Sequence, residues 1–96
     1  MTSATKIILR LFVAGQTARS ERAIANLHLI VARANQACDI QIVNVVNEPA
    51  LADRDHIIAT PTLIKVDARS ERRVIGDLSN IDEVLYALNL SSPAVE

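Results

Sequence analysis

Apolar residues crowd positions 6–13, Lys-Ile-Ile-Leu-Arg-Leu-Phe-Val, with Gly15 just beyond. A short run of this kind, rich in β-branched types, suits a central strand covered on both faces. From Arg19 the period changes: Ile24, Leu27, Val31 and Ala34 recur at three- and four-residue steps, while Arg22, Asn26, Arg33 and Gln36 take other directions. That spacing predicts an amphipathic helix, with Thr17, or Ser20 one turn later, as its N-cap. Over 39–46, Ile40, Ile42 and the valines alternate imperfectly with Gln41 and Asn44, the pattern of a second strand. Strand, helix and strand in such close succession form a right-handed βαβ unit by default.

Asn47-Glu48-Pro49 marks a turn, with Pro49 where a first helical residue tolerates proline, and a short helix is expected over 51–57. Thr60-Pro61-Thr62 interrupts it ahead of a third strand over 63–66, because a proline at the head of a strand removes no interior ladder hydrogen bond. The polar segment 67–71 predicts a turn, 72–75 a fourth strand, and Gly76-Asp77 its end. A last helix is expected from Ser79, with Asp82 completing an approximate capping box and Ile81, Val84, Leu85 and Leu88 forming one stripe. Residues 91–96 are expected to fray. The order βαβαββα, with no repeat or linker, is that of a thioredoxin-like α/β sandwich. It predicts a single domain over 1–96 with an ordered core of about 5–90.

Composition narrows the function. Half of the 96 residues are apolar and 22% are charged, the balance of a small globular domain with little room for a large catalytic cleft. Ten basic and eleven acidic residues give a net charge of −1, no footprint for phosphate backbones or anionic membranes. Phe12 and Tyr86 are too few for a base-stacking platform. No stretch approaches the roughly 20 apolar residues of a membrane span, and Arg10 splits the apolar run that a signal peptide would need. A cytoplasmic protein that binds neither nucleic acid nor membrane is expected. Cys38 with the scattered His28 and His56 cannot assemble a zinc site, so no metal or cofactor is expected.

In a thioredoxin-like fold, redox chemistry is done where the first strand meets the first helix and the helix dipole lowers a thiol pKa. That junction, 14–20, holds no cysteine here, and Cys38 reads as a small, half-buried hydrophobe. Asp53 and Asp55, flanking Arg54, read as solvated carboxylates, as do Asp82 and Glu83 in a first helical turn. His56 ends the short helix, where an imidazole meets the last carbonyls. Pro61 is more informative, because the proline at this place in thioredoxin-like folds is commonly cis. Arginine outnumbers lysine eight to two, and scattered guanidinium groups suit a protein partner that carries carboxylates. The chain is expected not to be an enzyme.

Four words of the sequence stand in order: Leu-Phe-Val-Ala-Gly at 11–15, Ser-Glu-Arg-Ala at 20–23, Ala-Thr-Pro-Thr-Leu at 59–63 and Ile-Gly-Asp-Leu-Ser at 75–79. Together they closely resemble the KaiB family of circadian clock proteins. The resemblance implies a non-enzymatic adaptor that docks on the hexameric ATPase KaiC and, in complete clocks, sequesters KaiA and competes with a sensor histidine kinase. It also implies metamorphic behaviour: a tetrameric ground state ordered βαββααβ, and a monomeric thioredoxin-like state that binds the ATPase, within a few kcal/mol of each other.

Departures from the family carry expectations of their own. Ala87 stands where clock members typically have glycine, and Asn89 where they have aspartate. Alanine for glycine in a helix interior is worth about 1 kcal/mol, and loss of a negative charge near a helix C-terminus up to about 1 kcal/mol. A bias towards the monomeric thioredoxin-like state is therefore expected, with a dimer or tetramer belonging to the other packing. Arg22 and Arg73 match basic positions of the family and are candidates for contact with the ATPase. His56 stands where the family usually has a lysine and is a candidate for the same contact, with Lys65 a further candidate. The turn at 67–70 replaces a proline-rich one, as in a divergent paralogue. The competing expectations are a sensor module serving a histidine kinase and a degenerate thioredoxin-like redox protein.

Overall fold

The computed structural model describes residues 7–34, 36–68 and 70–90; Lys6 and the tail 91–96 lie outside them. The elements follow the order β1 (Ile7–Val13), α1 (Ala18–Arg33), β2 (Cys38–Asn44), α2 (Pro49–Arg54), β3 (Thr62–Val66), β4 (Glu71–Ile75) and α3 (Ile81–Ala87). They build a four-stranded sheet ordered β2-β1-β3-β4, in which β2 runs parallel to β1 while β3 and β4 pair antiparallel to their neighbours. This is the thioredoxin-like architecture that the hydropathy pattern predicts.

Strand alternation divides β1 between two layers. Ile7, Leu9, Leu11 and Val13 join Ala23, Leu27 and Ile30 of α1 and Val84 and Leu85 of α3 in the main core. On the other face Phe12 meets Val43 and Ile64, with Leu51 and Ile57 from the α2 segment packed against them. Leu9, Leu11, Leu27 and Ile30 are fully buried, and each such side chain contributes about 1.5–3 kcal/mol of transfer free energy. The α2 layer is far thinner: no residue of α2 itself is buried.

Local hydrogen bonds set the element ends. Ser20 N–H donates to Thr17 Oγ1 at 3.0 Å, so Thr17 is the cap of α1 and Ser20 lies inside the first turn. Strand β2 stops at Asn44 rather than Val46, because Asn44 Oδ1 accepts from the N–H groups of both Val46 and Gly15, each at 3.0 Å. Gly15 needs its conformational freedom there, at φ 73°.

Helix α2 begins at Pro49 and ends at Arg54, earlier than the expected Ile57. His56 adopts φ 56°, its N–H donates to Asp53 O at 3.1 Å, and Ile57 N–H donates to Ala52 O at 2.9 Å. These are the paired bonds of a left-handed C-terminal cap. The same pair closes α3: Asn89 N–H donates to Tyr86 O at 3.1 Å, Leu90 N–H donates to Leu85 O at 2.7 Å, and Asn89 has φ 57°.

Two expectations about α3 are corrected. The helix starts at Ile81, capped by Asn80, whose side chain accepts from Glu83 N–H at 3.2 Å; Ser79 N–H is already given to Asp77 Oδ1 at 3.1 Å. Ala87 is the last helical residue, not an interior one, and Asn89 lies beyond the helix. At a last helical position alanine gains less over glycine than it would in a helix interior. At Asn89 the relevant quantity is tolerance of the left-handed region, where asparagine is among the better non-glycine residues.

Candidate functional site

The residues singled out in the sequence divide between the two layers. Arg73 pairs across β3–β4 with Ile64, which faces α2, and its Nη1 donates to Asp55 O at 3.1 Å while Nη2 meets Glu71 Oε2 at 2.6 Å. Asp55 is the cap residue that directly precedes His56, so Arg73 and the exposed His56 meet at one turn. Ile58, two residues on, is 89% exposed. The Thr60–Pro61 peptide is cis, Pro61 O accepts from Gly76 N–H at 2.9 Å, and Ala59 O accepts from Thr62 Oγ1 at 2.6 Å. Arg54, His56, Ile58 and Arg73 thus gather around the end of α2, with Asp55 and Glu71 paired to the two arginines.

Arg22 lies elsewhere. It projects from α1 and is ion-paired through Nε to Asp77 Oδ2 at 3.2 Å, while Asn26 Nδ2 donates to Asp77 O at 2.9 Å. The Asp77 carboxyl is held below the usual carboxylate range, first by hydrogen bonds from the Ser79 side chain and backbone and then by Arg22. Lys65 is not a surface cation in this packing. It is 4% exposed, opposite Leu9 in the β1–β3 register, with its ammonium 3.4 Å from Asp67 Oδ2. Strand alternation turns it inward on the side of α1, the face it shares with Leu63.

Sequence reasoning missed Asp55. Its side chain is 18% exposed rather than solvated; Arg10 Nη1 lies 3.2 Å from its Oδ2 and Arg54 Nε 3.3 Å from its Oδ1. The available signal was Arg10 itself, a charge inside a central strand, which is costly to bury without a counter-charge.

An open cleft of about 200 Å³ lined by Val45, Ala52, Ile57, Ile58, Ala59 and Thr60 is smaller than the roughly 300–1,000 Å³ of small-molecule sites. Cys38 opens β2 opposite Ile7, at the far end of the sheet from the β1–α1 junction, and burial pushes its thiol up despite the opposing effect of Lys65. A protonated thiol there is a poor nucleophile. Among the described residues no three His, Cys, Asp or Glu side chains are grouped to hold a metal, and no helix is long and apolar enough to cross a membrane.

Known proteins match this chain along most of its length. The KaiB domain model covers residues 10–90. Circadian clock protein KaiB3 of Synechocystis sp. is 37% identical over 86 residues, covering 88% of this chain and 84% of its own. The circadian clock oscillator protein KaiB of Thermostichus vulcanus is 43% identical over 84 residues, covering 86% and 78%. Among solved structures, the N-terminal domain of Synechococcus elongatus SasA superposes with a TM-score of 0.74 at 22% identity, covering all of this chain and 94% of that one. Mitochondrial thioredoxin 3 of Saccharomyces cerevisiae gives 0.71 at 14% identity, covering 86% and 76%. These structural likenesses establish the fold.

Proposed function

The chain belongs to the KaiB family, and on that premise we propose that it is a non-enzymatic adaptor that binds a KaiC-type hexameric ATPase in the cytoplasm and regulates its cycle. The family match across residues 10–90 carries this reading. The site geometry supports it: the α2 end presents Arg54, His56, Ile58 and Arg73 as a projecting patch, suited to an acidic and apolar protein surface. Arg73 and His56 are the first contact residues in this proposal, and Arg22 on the other layer is a second. A KaiA-like protein or a sensor histidine kinase, bound in competition, completes the set of proposed partners.

Fold switching belongs to the same proposal. The thioredoxin-like packing binds the ATPase, and a βαββααβ packing forms the oligomeric store. Asn89, at ease in the left-handed position that closes α3, biases the chain towards the binding state.

Size-exclusion chromatography of the free chain, and then of its mixture with a KaiC-type hexamer from the same cell, tests the reading. The free chain is expected to elute mainly as a monomer and to shift into the hexamer peak, with Arg73→Ala weakening binding about tenfold, the usual size of a moderate interface contact. Failure to associate with any such hexamer would refute the adaptor role.

A further inference from the structure

Arg10 is the fourth residue of β1, opposite Gln41 of β2 and Ile64 of β3, and only 19% of its side chain is exposed. A guanidinium so placed requires partners, and it has two: Nε donates to Gln41 Oε1 at 2.9 Å, and Nη1 donates to Asp55 Oδ2 at 3.2 Å. Asp55 also receives Arg54 Nε on its other carboxylate oxygen at 3.3 Å, and its backbone carbonyl accepts from Arg73 Nη1 at 3.1 Å. One residue therefore fastens the end of α2 to the central strand through its side chain and to the edge strand β4 through its backbone.

Helix α2 has little else to hold it. Six residues are far fewer than the roughly 12–15 at which an isolated helix begins to persist in water, so its existence depends on tertiary anchoring. None of its residues is buried, and the apolar anchoring comes from the half-buried Leu51 and Ile57 against Phe12, Val43 and Ile64. We infer that Asp55 is a positioning residue: its bonds to Arg10 and Arg73 latch α2 and the following turn onto the sheet, so that His56 and Ile58 are presented in a fixed place. The latch is local: α1 and α3 pack on the opposite face, and among the described residues its bonds go to β1, β4 and the end of α2.

Amide hydrogen exchange by NMR on the free chain tests this directly, with the His56 and Ile57 N–H groups as reporters, since each donates to a carbonyl of α2. In Asp55→Asn these amides are expected to exchange at least tenfold faster while the Leu27 and Leu85 amides keep their protection. A uniform acceleration in all three helices would show a merely global stability role and overturn the inference, as would unchanged exchange in α2. Arg10→Gln is expected to give the same local pattern and to add nothing in the Asp55→Asn background; additive effects would overturn the coupling. Should Asp55→Asn fail to fold, Arg10→Lys, which keeps the charge but loses the fork that bonds Gln41 and Asp55 through separate nitrogens, gives the same local-against-global reading. Affinity for a KaiC-type hexamer is a separate arm that rests on the adaptor proposal: unchanged affinity alongside locally faster exchange would remove the α2 patch from the docking surface and leave the latch standing.

Discussion

At the residue scale, backbone conformation has more influence than side-chain chemistry at two of the positions singled out. His56 and Asn89 sit at φ 56° and 57°, one residue past the caps of α2 and α3. A left-handed conformation costs a residue with a Cβ about 1–2 kcal/mol, less for asparagine, and glycine avoids this at some expense in unfolded-state entropy. His56→Gly is therefore expected to raise the free energy of unfolding by about 0.5–1 kcal/mol, and Asn89→Val to lower it by about 1–2 kcal/mol, read from urea denaturation midpoints. Neither position was legible in the sequence, because hydrophobic periodicity reports which face a residue occupies and not the sign of φ. Asp77 has a pH signature instead. Its folded-state pKa is lowered by Ser79 and then Arg22, so its contribution to stability is present above the ordinary aspartate value of about 3.9 and is lost as pH falls through the folded value. Melting temperatures followed on acidification should fall at that end, and Asp77→Asn should flatten part of the fall.

At the element scale, β1, β3 and α1 were readable because each buries a consistent set of apolar positions, whereas the two short helices were readable only in outline. The expected start of α3 at Ser79 was displaced because each of two neighbouring polar side chains takes its own backbone donor. Asp77 takes Ser79 N–H, which leaves Asn80 to cap the helix through Glu83 N–H. Asn80→Ala is expected to cost about 1 kcal/mol, the usual value of an N-cap side chain, visible as a lower thermal midpoint. Lys65 shows the corresponding limit for strands. Alternation fixes that it shares a face with Leu63, but the side of the sheet that face takes is decided by the register with Leu9 and Arg72. The candidate site suffered from the same limit. Arg10 was conspicuous in the sequence, but its partner Asp55 is 45 residues away and reads there as a solvated carboxylate beside Arg54.

At the scale of the whole molecule, the sheet separates the candidate contacts into two layers. Arg22 belongs to the α1 and α3 layer, where Asp77 holds it; Arg73 belongs to the α2 layer, where Asp55 and Glu71 hold it. These two groups share no hydrogen-bond partner and no core cluster, so a partner that uses both must reach around the end of the sheet where β4 leads through Gly76 and Asp77 towards α3. Substitutions at separated sites with no shared partner add in free energy to within about 0.3–0.5 kcal/mol. If a KaiC-type hexamer engages both layers, the loss of binding in the Arg22→Ala, Arg73→Ala double variant should equal the sum of the two single losses in a titration calorimetry cycle. If it docks on the α2 patch alone, Arg22→Ala should leave affinity unchanged while Arg73→Ala weakens it. A coupling well beyond the additive limit would mean that the two arginines come together in the bound state, which the present packing of the sheet between them does not permit.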